Sequence, residues 1–291
     1  MAITELCGKL GADLENAEDI LTGEVFSALQ KLPTAFLSTI LAAASDTNGN
    51  APLGELITGA DPAEWEFYFW PTMVGDLRKV AGTEPDLIIK IRDVWIILEA
   101  KYLSEKSGDG LEMSELGEQT LVDQLARQLF ATHSAAHRES NFAVRVRKHD
   151  GHLGRQIVPK ADARIWSVYC TNHMVSPRDD LVGSAKAFEQ FRIESGGLSS
   201  VREVNEQFLW ISWHQIEGVV HRLRSSLRQR AELMIAEELL TLLESKNIGE
   251  FRGFERCQSA GFVPWTTDLN TVESTLLWPR FTITEQWQLE A

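Results

Sequence analysis

Residues 84–102 read EPDLIIKIRDVWIILEAKY, two apolar runs of strand length parted by Arg92-Asp93, and this stretch restricts the fold more than any other. Both runs, DLIIKI and VWIILEAKY, are rich in β-branched and aromatic residues, the composition of paired strands. With a two-residue turn at 92 and 93, opposed positions of the antiparallel pair sum to 185, which sets Asp86 against Glu99. Opposed Cβ atoms in such a ladder lie about 4.5–5.5 Å apart, so both carboxylates share one side of the sheet and their repulsion demands a cation. Alternation puts Lys101 on the side of Glu99, while Ala100 points the other way and leaves its carbonyl at the strand edge. Two carboxylates, a backbone oxygen and an ammonium group converge. Oxygen-only ligands suit a hard ion such as Mg²⁺, and with Lys101 placed to orient and help deprotonate a water the set fits phosphodiester hydrolysis.

The flanking pattern extends the hairpin into a domain. Leu14, Ala17, Leu21, Val25, Ala28 and Leu32 recur at steps of three and four up to Pro33 and predict an amphipathic helix. TAFLSTILAAAS predicts a second helix before the turn-rich DTNGNAPLG at 46–54, and EWEFYFW at 64–70 adds a strand that completes a three-strand meander. Downstream, the polar, glycine-containing segment 104–117 reads as a loop, and a helix from 118 carries Leu121, Leu125 and Leu129. ARIWSVYC at 163–170 and QFLWISW at 207–213 read as strands, and 214–243 as two helices around RSSLRQR. The expected fold class is α/β, a central mixed sheet containing the meander and flanked by helices. Residues 248–291 are rich in Phe, Trp and Thr without a clear period.

Pro85-Asp86, the spacing from Asp86 to Glu99, and Glu99-Ala100-Lys101, set in a helix–meander–helix–strand order, resemble the PD-(D/E)XK nuclease superfamily. The resemblance covers residues 14–172. It implies a restriction-endonuclease-like core over 1–172 with N-terminal helices, and over 173–291 a final strand, helices and a C-terminal extension packed on that core. It further implies a nuclease dependent on Mg²⁺, with Mn²⁺ as substitute, in which Asp86, Glu99 and the Ala100 carbonyl hold metal and Lys101 positions water. Superfamily members supply another acid from the first helix. Glu18, within the apolar stripe between Leu14 and Leu21, is the candidate for that place in the metal set, and Glu24, displaced from the stripe, is the alternative. In exonuclease-like branches a glutamine and, four residues on, a tyrosine mark the later helix. Gln124 matches the glutamine and joins the expected catalytic set, but Gln128 stands where the tyrosine would be. Restriction, mobile-element processing and antiviral defence are the settings this resemblance implies.

Charge narrows the partners. With 28 basic against 42 acidic residues, a formal −14, the chain does not coat nucleic acid by bulk attraction. The basic stretch 138–164, read as a loop and carrying Arg145, Arg147 and Lys148, is the expected contact surface, for DNA in preference to RNA. The negative total implies a homo-oligomer or an associated targeting protein that concentrates positive charge. A nuclease-fold module that binds nucleic acid or protein partners without cutting is the alternative reading. Cys7, Cys170 and Cys257 fit neither a disulfide framework nor a zinc cluster, no apolar run approaches the ~20 residues of a spanning helix, and the N-terminus lacks a signal pattern, so a cytoplasmic location is expected. His133 and His137 lack the glutamate of a zinc-protease motif. Without a G-x-S-x-G elbow or a phosphate-binding Gly-Lys-Ser/Thr loop, neither a serine hydrolase nor a built-in NTPase is expected.

Overall fold

Strands that are apolar on both faces need cover on both faces, and the chain supplies it with two layers of helices. The computed structural model describes residues 14–74, 83–102, 106, 111–113, 119–137, 143–147, 153–195, 198, 201 and 204–249, all within one unit, Met1–Glu250. In chain order the first elements are α1 (Leu14–Lys31), α2 (Thr34–Ala42), α3 (Leu53–Ile57), β1 (Trp65–Phe69), β2 (Thr72–Val74), β3 (Leu87–Ile91) and β4 (Val94–Lys101). There follow β5 (Leu111–Met113), β6 (Gln119–Leu121), α4 (Gln124–His137), β7 (Ala143–Arg147), β8 (Leu153–Ile157) and β9 (Arg164–Thr171). The last are α5 (Arg178–Ser195), β10 (Phe208–Ser212), α6 (Trp213–Arg224) and α7 (Arg230–Ser245).

The main sheet has the order β1-β3-β4-β9-β10. Its first three strands form the antiparallel meander, and β4, β9 and β10 run parallel, which makes the sheet mixed. On one face Leu87, Ile89, Ile96 and Leu98 pack with Leu21 and Val25 of α1, Phe36 of α2, Trp213 of α6 and Leu239 of α7. On the other, Ile88, Trp95, Ile97 and Tyr169 pack with Leu125 and Leu129 of α4 and Phe188 of α5. The period of two along β3 and β4 thus feeds two separate cores. The outer edge of β10 is closed by Ser45, which exchanges backbone hydrogen bonds of 3.1 and 2.8 Å with Trp210 and blunts an edge that could otherwise recruit another chain.

Four local departures from the sequence pattern have physical causes. The helix expected from 118 begins at Gln124, because Asp123 turns its carboxylate back to accept the Ala126 N–H at 2.9 Å, an N-cap that ends the extended run β6. The segment read as a loop over 104–117 contributes β5, which pairs with β6. The basic segment 138–164 is in large part a hairpin, since β7 and β8 pair with each other and β7 with β2, and the alternation AVRVR is itself strand-like. A helix not anticipated from sequence, α5, links the parallel strands β9 and β10, whose direction requires such a crossover. Lys148, the side chain of Arg147 and the stretch 250–291 lie outside the described residues. Among the described residues no helix is long and apolar enough to cross a membrane.

Candidate active site

The ladder between β3 and β4 pairs Leu87 with Leu98 and Ile91 with Val94, the register expected from the two-residue turn, so that the next positions bring Asp86 opposite Glu99. Glu99 lies on the face covered by α4, near the C-terminal end of β4. Ala100 directs its N–H toward β3 and donates to Asp86 Oδ2 at 2.7 Å. Its carbonyl faces the same side, beyond the last ladder pair Leu87–Leu98, where the register extrapolates to Pro85. A proline has no N–H, so the ladder supplies no donor to that oxygen. The Pro-Asp dipeptide therefore ends the pairing and leaves a carbonyl beside a carboxylate.

Helix α4 holds the second carboxylate. Gln124 and Gln128, four residues apart and hence on one helix face, donate through Nε2 to Glu99 Oε1 and Oε2, each at 2.7 Å. Lys101 Nζ stands 3.0 Å from Glu99 Oε1, and its side chain is only 15 % exposed. Glu18, from α1, reaches the end of β4 through its lysine: Oε2 is 3.8 Å from Lys101 Nζ and Oε1 accepts the Tyr102 N–H at 2.9 Å. Trp213 Nε1 donates to the Lys101 carbonyl at 3.1 Å and fixes the strand end from α6. The N-terminus of α4 is anchored in turn by a buried pair, Lys106 Nζ to Asp123 Oδ2 at 2.8 Å, with Ser184 of α5 donating to the same oxygen at 3.1 Å.

Two residues at the site carry no signal in the sequence. Trp70, fully buried, adopts φ 44° in the left-handed region, unusual for so bulky a side chain, and its N–H donates to the Asp86 carbonyl at 2.9 Å. Its indole Nε1 donates to Asp19 at 3.2 Å, and the charge of Asp19 pushes up the pKa of both Asp86 and Glu99. Neither a lone tryptophan after a strand nor the residue next to Glu18 announces such a place.

Burial pushes the Asp86 carboxyl well above the usual range, and the Glu99 charge pushes it further, against the Ala100 N–H and Lys101. Burial likewise raises Glu99, against Lys101 and the Gln128 amide. Burial alone would lower Lys101, but Glu99, Asp86 and Glu18 outweigh it and hold the ammonium protonated. Among the described residues no group of three or more His, Cys, Asp or Glu side chains converges as one metal centre. The donors that do converge are two buried carboxylates at the expense of their solvation and a carbonyl facing a proline. That all-oxygen set fits a hard divalent cation, which would offset the burial and negative field that raise both carboxyls.

The remaining sequence candidates divide. Arg145 is exposed on β7 opposite Thr72, two residues along the chain from Trp70. His133 and His137 stack with ring centroids 6.3 Å apart, but His133 is a core residue bonded through Nε2 to Gln207 at 3.0 Å. Burial holds its pKa down to about 4, against the Gln207 hydrogen bond. A depressed histidine contributes its full stability above the unfolded value of ~6.5 and loses it as pH falls toward 4, at most about 3 kcal/mol. Denaturant titrations across that window are expected to show a steeper loss for the parent than for His133→Met. Equal losses in the two proteins would count against a neutral buried ring.

Comparison with known proteins found no match: no family model, no curated protein and no solved structure resembles this chain closely enough to be significant.

Proposed function

We propose that this chain is a metal-dependent nuclease with a restriction-endonuclease-like core, hydrolysing phosphodiester bonds of DNA in preference to RNA. The observation that carries the reading is the register: Asp86 and Glu99 are opposed at the end of two otherwise apolar strands, with Lys101 against Glu99 at 3.0 Å. A binding-only module has no use for two buried like charges, which cost stability without a cation. Asp86, Glu99 and the Ala100 carbonyl are the groups that would hold Mg²⁺ or Mn²⁺, with Glu18 as a further acid reached through Lys101. Such an ion supplies Lewis-acid polarisation of a phosphoryl oxygen and a more acidic water.

The protein's own groups then have distinct tasks. Gln124 and Gln128 hold the Glu99 carboxylate in one orientation, and Lys101, kept protonated, orients a water and offers positive charge to the phosphoryl oxygens as charge develops there. A net charge of −14 makes a second copy or a targeting protein the natural means of bringing substrate to this end of the sheet. Incubating purified protein with circular and linear DNA and RNA in Mg²⁺, Mn²⁺, Ca²⁺ or chelator tests the assignment. Cleavage of DNA in Mg²⁺ or Mn²⁺, lost in chelator, is the expected result, and intact substrates under every condition would overturn it.

A further inference from the structure

The helix that clamps Glu99 carries one more polar residue whose side chain the fold does not use. Arg127 follows Gln124 by three positions and precedes Gln128, so it lies on the flank of the helix face that meets Glu99. It is half-buried, and its Nε is buried without any hydrogen-bond partner. Among the described residues its guanidinium forms no ion pair. Arginine presents five donors in a rigid fork, and an uncompensated half-buried one costs stability, so the position is a poor choice for folding alone. Nearby Asp123 is already engaged by Lys106 and Ser184, and Glu99 by two amides and Lys101. Burial lowers the Arg127 pKa, and the fields of Asp123 and Glu99 oppose this, which places the guanidinium within electrostatic reach of Glu99.

We infer that Arg127 is an anion subsite that receives a backbone phosphate of the nucleic acid beside the Asp86–Glu99 pair. The inference rests on the nucleic-acid reading above and deepens it. Arg127 is only partly buried, and the accessible part of its planar guanidinium matches the oxygens of phosphate, the anion that substrate brings to this end of the sheet. Of the groups around the site, Lys101 is committed to Glu99 and Glu18, whereas Arg127 has its charge uncommitted to any described acid. A phosphate arriving there would give the guanidinium the ionic partner it lacks among the described residues and lie on the flank of the α4 face that meets Glu99.

The test is fluorescence anisotropy with a labelled 20-nucleotide single-stranded DNA in Ca²⁺, comparing the parent with Arg127→Gln, Arg127→Lys and Asp86→Asn, alongside melting curves and Mg²⁺ cleavage. Arg127→Gln is expected to weaken binding about tenfold and to reduce the log–log salt slope by roughly 0.7, the share of one contact on a single strand. Arg127→Lys should recover part of the affinity, and the melting temperature of Arg127→Gln should stay level or rise, which a structural role for the side chain would not allow. Asp86→Asn should bind with the Arg127 contribution intact. Binding by Arg127→Gln within twofold of the parent, or no binding by the parent itself, overturns the subsite. If Arg127-dependent binding is found but no metal supports cleavage by the parent, the subsite stands and the catalytic reading falls.

Discussion

Asp86→Asn and Glu99→Gln will each reduce cleavage on the order of 10³-fold or more and remove the response to divalent ions, yet leave the protein as stable as the parent or more so. The sign follows from the buried acids. Burial and mutual repulsion raise the Asp86 pKa well above its unfolded value, so in metal-free buffer at neutral pH the ionised group opposes folding, and this penalty fades as pH drops through the raised pKa. Neutralising the group at constant shape removes that penalty. Asn at 86 still offers an oxygen to the Ala100 N–H, whereas Asp86→Ala leaves that donor without its 2.7 Å partner and should melt lower than Asp86→Asn. Added Mg²⁺ or Mn²⁺ should raise the melting temperature of the parent alone if, as proposed, only the intact pair holds the ion in the folded state. Calorimetric ion binding unchanged in both neutral variants would remove these residues from the metal site.

The part of this site that was legible in the sequence is the part set by local geometry. A two-residue turn and a period of two are enough to oppose Asp86 and Glu99, and the observed pairing keeps that register up to Leu87–Leu98, the pair next to them. Helical spacing likewise put Gln124 and Gln128 on one face, although the sequence did not show that both would donate to the same carboxylate. What stayed hidden depends on chain folding back from a distance. Asp19 enters through Trp70, 51 residues away, and Trp70 is held in a left-handed conformation that its residue type disfavours. Lys106 meets Asp123 from a polar segment that reads as loop, and its burial at 4 % exposure of the side chain has no sequence signature. The hairpin of β7 and β8 was masked by its arginines, because a strand whose outward positions are charged looks like solvated loop. Helix α5 was missed for a related reason, as its apolar residues Leu181, Ala185 and Phe188 are interleaved with Asp, Lys and Glu. The connection between two parallel strands was the better clue to it than its own composition.

Lys101→Met separates chemistry from binding. In the metal-free protein the ammonium group is the cation that Glu99 and Glu18 share, at 3.0 and 3.8 Å, so its removal leaves buried acids without compensation and should lower stability by up to about 3 kcal/mol. The same ammonium competes for Glu99 with any added ion. Mg²⁺ or Mn²⁺ affinity in Lys101→Met should therefore be retained or increase, and a saturating ion should restore much of the lost stability. If Lys101 acts on the water and on developing phosphoryl charge, its interaction strengthens on the way to the transition state, and the variant should bind ion and DNA normally while single-turnover cleavage falls about 10²- to 10³-fold. A lysine that only neutralises acids predicts the opposite pattern: once the ion has replaced its charge, nothing is left for it to contribute. A Lys101→Met rate within a few-fold of the parent at saturating Mg²⁺ would assign the residue to that purely compensating role and leave orientation of the water to groups other than the lysine.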